Sequence, residues 1–342
     1  MRKFLYTFFA ILLLIPLNMP AQKDPVSIFN QIWNSYDTLY SGFARKNIDW
    51  NVLYNIYRPK VNEKTSDNEL FGIVTNMLRH LNDNHVQIAK ENPERHFSAG
   101  LLGYLIDDIG FDSTLNIFTS MPISEKYFKD GLNSFNKFSF GWLQDSIAYF
   151  HFGEFKNLKA SQEAMDKIIK YFSASKALII DVRRNMGGDD IIGKAIADYF
   201  ADKKREYMIT ANKNGKGHND FADQKIWYIE PNNFLSYNKP VILLIDNTSF
   251  SAAENFALAM REIPNVKLVG MNTSGGFADS EWKTLPCGWS VCIPYSFFTD
   301  KNGFCWEGIG VQPDYYIKTD PKKHVTEKDT LIDFACKLIN TR

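Results

Sequence analysis

The sequence has few cysteines and no excess charge of either sign, and both scarcities exclude classes of protein. Its 342 residues include 39 basic and 39 acidic side chains, a balance that argues against a nucleic acid or an anionic membrane as partner. The cysteines are Cys287, Cys292, Cys305 and Cys336. They form no paired CxxC units, so no zinc or other metal site is predicted, and three full disulfide pairings stay open.

The sequence has one long apolar run, and it lies at the start of the chain. Basic residues at positions 2 and 3 precede the apolar residues 4–17, and a short polar segment follows. This pattern predicts a signal peptide over residues 1–21, with cleavage near Ala21 and export to the periplasm or the exterior. An uncleaved anchor is the alternative, although the run is short for a membrane span. Cleavage removes Arg2 and Lys3, which leaves 37 basic against 39 acidic residues, a formal charge of −2.

Apolar periodicity divides the remaining chain into four parts. Helical spacing and capping signals, such as Ser66 with Glu69, predict an N-terminal helical domain over residues 22–92. Short apolar stretches at 101–106 and 117–121, separated by glycine and asparagine, predict a β-rich connector over 93–144. The core is expected over 145–320 and a C-terminal helix within 321–342.

Two runs in the core, 177–182 and 241–245, are wholly apolar apart from one aspartate. Each is followed by a polar turn and a helical segment. Strands of this type are buried on both faces, which favours a partly parallel sheet covered by helices. The predicted fold class is α/β.

The second of these strands leads directly to Ser251, which stands where a helix begins. Helix starts offer unpaired backbone N–H groups and partial positive charge, which suit an oxyanion beside a nucleophile. Serine is also a frequent N-cap, and Glu254 three positions on would complete a capping box. The residues alone leave both interpretations open.

Three segments together are more specific than any one of them. The turn Asp-Val-Arg-Arg-Asn-x-Gly-Gly at 181–188, the helix start Ser-x-Ser-Ala-Ala-Glu at 249–254 and the segment Glu-Gly-x-Gly-Val-x-Pro-Asp at 307–314 occur in this order. They resemble the catalytic core of the S41 peptidases, which include the C-terminal processing proteases and the tricorn core. The resemblance extends over residues 48–90 and 145–317 and implies a core fold related to ClpP and crotonase.

The resemblance implies that Ser251 is the nucleophile, which needs a base to accept its proton. Processing proteases use a lysine, but Gly276 stands at that position here. The tricorn-like branch uses a histidine from the end of the helical segment, which His85 matches. Glu307 matches the assisting glutamate of that branch, and Asn84 stands where the tricorn site has a serine.

Backbone amides are expected to form the oxyanion hole, namely those of Ala252 and of the pair Gly187-Gly188. The glycine pair matches neither a dinucleotide-binding nor a Walker loop, and no cofactor is predicted. The 60 residues between His85 and Ser146 contain no Gly-x-Gly-Leu-like loop of a PDZ insertion. Selectivity is therefore expected from the cleft, with segment 203–235 as the candidate.

These features predict an exported, metal-independent serine endopeptidase that cleaves peptides or unfolded polypeptide through an acyl-enzyme. Neither a nucleic acid nor, after signal removal, a membrane is an expected partner, and the sequence does not indicate an oligomeric state. The alternative is a non-catalytic module that binds a peptide or an apolar ligand on the same fold. An acyl-CoA enzyme is disfavoured because export separates it from CoA.

Overall fold

The computed structural model describes residues 24–91, 94–232, 234–320 and 328–341. The predicted signal peptide, residues 1–21, lies outside these ranges. No helix within them is long and apolar enough to cross a membrane.

Four helices form the N-terminal part of the described chain. They are α1 (Pro25–Leu39), α2 (Phe43–Lys46), α3 (Trp50–Tyr57) and α4 (Asp67–Arg79). Asp24 caps α1, in which proline occupies the first helical position, and Ser66 and Glu69 form the predicted capping box of α4. The helical prediction for this region is correct because its capping signals are local and satisfy backbone groups at the helix ends.

The remaining helices and strands follow in chain order. The strands are β1 (Gln87–Glu91), β2 (Glu94–Ser98), β3 (Asn133–Phe135), β4 (Phe138–Trp142), β5 (Ile147–Phe152), β6 (Ala177–Asp181), β7 (Arg205–Asn212), β8 (Lys225–Ile229), β9 (Val241–Ile245), β10 (Val266–Gly270), β11 (Ser280–Thr284), β12 (Trp289–Pro294), β13 (Ser296–Asp300) and β14 (Tyr315–Tyr316). The helices are α5 (Leu101–Ile109), α6 (Phe111–Thr119), α7 (Leu158–Tyr171), α8 (Asp190–Ala197), α9 (Ala252–Arg261) and α10 (Thr330–Asn340).

A seven-stranded sheet in the order β14-β10-β9-β6-β5-β4-β3 forms the centre of the described core. Strands β14, β10, β9, β6 and β5 are parallel to one another. Strand β4 pairs antiparallel with β5, and β3 pairs antiparallel with β4. One face packs on α7, α8 and α9, and the other packs on α10. Every residue of β5, β6 and β9 is buried. The α/β prediction is confirmed, and the apolar strands are those with both faces covered.

A second sheet joins the helical domain to the core. Its order is β11-β12-β1-β2, and β1 pairs antiparallel with β12 of the core. Helices α1, α3 and α4 pack on this sheet, with Trp289, Val291 and Ile293 in the shared apolar cluster. Since β1 follows the turn that contains His85, this pairing fixes the histidine against the core.

The prediction of a β-rich connector over 93–144 is wrong. The apolar stretch 101–106 lies in α5, most of the stretch 117–121 lies in α6, and the strands β2, β3 and β4 lie around them. Leu102 and Ile106 are four positions apart and therefore share a helix face. Short apolar runs fit a buried strand and a helix equally well by length, and here the helical period was the correct one.

The C-terminal helix agrees with its prediction. Asp329 caps α10 by accepting the backbone amides of Leu331 and Ile332, and the helix lies against the central sheet. Residues 321–327 lie outside the described ranges.

Candidate active site

The turn from β9 into α9 presents Ser251. Its backbone has φ 59° and ψ −122°, a conformation that residues other than glycine seldom adopt. The Ser251 amide donates to Glu254 Oε2 at 3.0 Å, which is one half of the predicted capping box. The hydroxyl is turned elsewhere, towards the end of the helical domain.

His85 meets that hydroxyl. Its Nε2 lies 3.3 Å from Ser251 Oγ, although the two residues are 166 positions apart. The Phe250 ring packs against the imidazole with a centroid distance of 4.6 Å. The structure therefore brings together the two residues on which the sequence hypothesis depends, at a distance suited to proton transfer.

The imidazole is buried, with 6% of its surface exposed. Burial lowers the pKa of His85 to about 4, against an opposing effect of the Asp83 charge. Neutral imidazole is the form that a base requires. For Nε2 to accept a proton, the neutral ring must hold its own proton on Nδ1, and Nδ1 has no hydrogen-bond partner among the described residues.

Glu307 forms no bond with His85 in the described part of the chain. Its Oε1 is 3.2 Å from Lys46 Nζ, and its Oε2 accepts the Phe277 amide at 2.6 Å. Burial, followed by the charge of Asp83, raises the pKa of Glu307. The glutamate therefore reaches the histidine only through other side chains.

Lys46 and Asp83 form that connection, and the sequence analysis did not identify either. Lys46 Nζ donates to the carbonyls of residues 81 and 82 and lies 3.3 Å from Asp83 Oδ2. Asp83 also accepts the Tyr40 hydroxyl and, through Oδ1, the His85 amide at 2.9 Å. Burial opposes ionisation of Asp83, but Lys46 and then His85 lower its pKa below the ordinary value. Lys46 stands on α2 outside the motifs, so no sequence pattern indicated its role.

Asn84 points away from the pair. Its Nδ2 donates to the carbonyl and hydroxyl of Ser274 at 3.0 and 2.9 Å, and its Oδ1 accepts the Leu102 amide at 2.9 Å. These contacts join the loop after β10 to α5. Asn84 is therefore placed to support the site, with its polar atoms engaged outside the reacting pair.

Glu254 has a larger role than a cap. It is fully buried, and its Oε1 accepts the Thr273 hydroxyl and the Gly275 amide at 2.6 and 2.7 Å. Its Oε2 accepts the amides of Gly276 and Ser251. Burial raises the pKa of Glu254 to about 7, and the four hydrogen bonds oppose this shift. A carboxylate among the mostly apolar residues of α9 was the available signal for this role.

Gly276 explains why lysine does not occupy the position it has in processing proteases. A Cβ at Gly276 would collide with the Phe250 ring and would lie 3.2 Å from His85 Cε1. The space that a lysine side chain needs is filled by the histidine and its aromatic neighbour.

The predicted oxyanion amides lie next to Ser251 but are not equally available. Gly187, with φ 84°, donates its amide to Asn185 Oδ1 at 2.8 Å, and a Cβ on it would lie 2.7 Å from Ser251 Cβ. Among the described residues no acceptor is found for the amides of Gly188 and Ala252. Gly188 is thus the member of the expected glycine pair whose amide is available, and the lack of a side chain at Gly187 permits the close approach to Ser251. Asn185 also accepts the Phe250 amide through its carbonyl, which joins the two segments.

The described residues contain no cluster of three or more His, Cys, Asp or Glu that could hold a metal ion. Cys287, Cys292 and Cys305 form no disulfide among the described residues. Segment 203–235 includes β7 and β8, and its His218 contacts Asp37 and Phe43 of the helical domain.

Comparisons with known proteins agree with this architecture. Residues 146–317 match the model of peptidase family S41, and residues 21–79 match that of the tricorn protease C1 domain. The carboxy-terminal processing protease CtpA of Bacillus subtilis (strain 168) is 30% identical over 155 residues, which cover 45% of this chain and 31% of that protein. The nisin-resistance protein of Lactococcus lactis subsp. lactis is 26% identical over 155 residues, which cover 43% and 47%. The chain thus spans less than half of the length of these curated relatives.

Solved structures share the fold over almost the whole chain. A candidate peptidase from Parabacteroides merdae ATCC 43184 superposes with a TM-score of 0.78 at 28% identity, covering 92% of this chain and 96% of that one. Mature CPAF superposes with a TM-score of 0.67 at 13% identity, covering 94% and 98%, which supports the fold alone. With the family model matched over half of its length, the chain belongs to peptidase family S41, a family of serine-type peptidases.

Proposed function

We propose that this protein is an exported serine endopeptidase that cleaves peptides or unfolded polypeptide through an acyl-enzyme, with Ser251 as nucleophile and His85 as general base. One observation is central to the proposal: the 3.3 Å separation of Ser251 Oγ and His85 Nε2. The apolar run within residues 1–21 supports export.

The chemistry begins with attack of Ser251 Oγ on the scissile carbonyl carbon while the hydroxyl proton passes to His85 Nε2. The amides of Ala252 and Gly188 stabilise the negative charge on the carbonyl oxygen, and each such donor typically contributes a factor of about 10²–10³ in rate. The C–N bond then breaks, and His85 returns the proton to the leaving amine. A water molecule hydrolyses the ester in the same way, with its proton passing through His85 back to Ser251.

Lys46, Asp83 and Glu307 act as positioning residues in this proposal. Asp83 holds the backbone of His85, and Lys46 neutralises Asp83 beside Glu307. Asn84 and Glu254 position the loop that contains Gly276. None of these side chains is assigned a proton-transfer step.

The test combines covalent labelling with hydrolysis. Wild-type protein should react once with a fluorophosphonate at Ser251, located by mass spectrometry, and should cut peptides blocked at both ends. Ser251→Ala should lose both activities while its thermal unfolding stays nearly unchanged. The control Ser236→Ala, which removes an exposed hydroxyl outside both site segments, should behave as wild type.

Peptide turnover by Ser251→Ala at the wild-type rate would refute the proposal. Peptide binding without labelling or cleavage by the wild type would favour the alternative, a non-catalytic peptide-binding module.

A further inference from the structure

An apolar groove of about 500 Å³ lies between the helical pair α5–α6 and the sheet that contains β1 and β12. Its helical wall is formed by Leu102, Ile106, Phe111, Leu115 and Phe118. The volume falls in the range of about 300–1,000 Å³ that is typical of ligand pockets. It is larger than the space that one side chain needs.

The groove ends at the candidate active site. Phe250 lines it, packs on the His85 ring and directly precedes Ser251. Met186, which directly precedes Gly187, lines it too and is 43% exposed. A polypeptide with its carbonyl at Ser251 would therefore have the groove beside it.

The lining is suited to apolar side chains and unsuited to charged ones. Leu115 and Trp282 on opposite walls are 43% and 54% exposed, so apolar surface is available for burial. No Lys, Arg, Asp or Glu is among the described residues that line the groove, and its single imidazole, His96, is stacked on Phe111 at 4.0 Å. A charged substrate side chain would lose its hydration without gaining a partner of opposite charge.

We infer that the α5–α6 groove selects substrates, favouring polypeptides with an aromatic or large aliphatic side chain within a few residues of the scissile bond and rejecting acidic ones. This rests on the proposed peptidase function. No described residue of segment 203–235 lines this groove, so the two regions are separate candidates for substrate selection.

The experiment measures binding separately from chemistry. Fluorescent peptides, blocked at both ends and identical except for one residue, Phe, Leu, Ala or Asp, are titrated into Ser251→Ala protein. The same peptides are given to the active protein to obtain kcat/KM. We expect both the binding affinity and kcat/KM to be at least about tenfold higher for the Phe and Leu peptides than for the Asp peptide.

Leu115→Lys places a cation on the groove wall, and Asn116→Lys places the same charge on an exposed neighbouring position of α6. Leu115→Lys should weaken binding of the Phe peptide about tenfold or more and strengthen binding of the Asp peptide. Asn116→Lys should change neither affinity. The fluorophosphonate labelling rate should be the same in both variants, because the reagent does not extend into the groove.

Equal affinities for the Phe and Asp peptides, or equal effects of the two lysine variants, would overturn the inference. A protein that binds the Phe peptide selectively but is neither labelled nor able to cleave would support the groove and refute the peptidase proposal. Failure of the groove inference and failure of the peptidase proposal therefore give different results.

Discussion

The two halves of the candidate active site are held by different kinds of interaction. On the serine side, the buried Glu254 carboxylate accepts two loop amides, the amide of Ser251 and one hydroxyl. On the histidine side, the ion pairs of Lys46 with Asp83 and Glu307 connect α2, the His85 turn and the last core loop. The serine side is therefore a unit within the core, whereas the histidine side is an assembly of segments from both ends of the chain.

This difference has a consequence for mutation. A buried carboxylate with four donors cannot be replaced without leaving N–H groups unpaired. Lys46 retains 17% of its side-chain surface exposed, and without it the buried Asp83 keeps the Tyr40 hydroxyl and the His85 amide as donors, so part of its loss is compensated. We therefore expect damage on the serine side to affect folding and damage on the histidine side to affect mainly catalysis.

Glu254→Gln should have the largest effect. The amide NH₂ would face backbone N–H groups, so at least one buried donor would lose its acceptor, at a cost of about 1–3 kcal/mol for each unpaired group. Chemical denaturation should show a lower free energy of unfolding, and fluorophosphonate labelling of Ser251 should slow. Glu262→Gln, at the end of the same helix, is the control and should cost about 0–1 kcal/mol, as surface ion pairs do. Equal stability of the two variants would contradict the assigned role of Glu254.

Lys46→Met should have an intermediate effect of a different kind. It removes the cation between Asp83 and Glu307 and frees the turn that presents His85. A displacement of His85 by about 1 Å can lower the rate about 10²-fold. We expect kcat to fall by this order with KM nearly unchanged, while Lys64→Met, on an exposed position, stays at the wild-type level. A loss of stability as large as that of Glu254→Gln would remove the distinction between the two sides.

The pH dependence should show the smallest effect, as a shift rather than a loss. Because burial lowers the pKa of His85 to about 4, the imidazole stays neutral well below its ordinary pKa of about 6.5. The acid limb of kcat/KM should therefore lie clearly below pH 6.5, with activity lost only as His85 takes up a proton. Lys46→Met should move this limb upwards, since the Lys46 charge contributes to lowering the pKa. A wild-type limb at pH 6.5 would show that His85 is not desolvated as the structure implies.

Local patterns predicted much of the fold. The caps at Asp24 and Ser66 and the apolar strands at 177–181 and 241–245 specify their elements through neighbouring residues, and the structure has these elements. The connector was mispredicted because α5 and α6 are short and bury only part of their surface. In the structure α5 packs on β2 and on α6, and the sequence does not display such contacts between segments.

The candidate site was likewise predictable from the sequence only in part. Motif resemblance located Ser251, His85 and Glu307, but it could not indicate that Glu307 bonds to Lys46 rather than to the histidine. Lys46 and Glu307 are 261 positions apart and share no pattern. Long-range pairs of this kind arise from how two segments pack, so they became visible only in the structure.

The pairing of β1 with β12 also sets the order in which parts of the candidate site can assemble during synthesis. Gln87 is aligned with Cys292, so β1, which pairs with β2 directly after it in the chain, gains its partner in the core only when synthesis has passed the serine by about forty residues. During synthesis, Ser251 thus emerges before β12 can hold His85 beside it. The candidate pair is therefore complete only in a chain that has extended past β12.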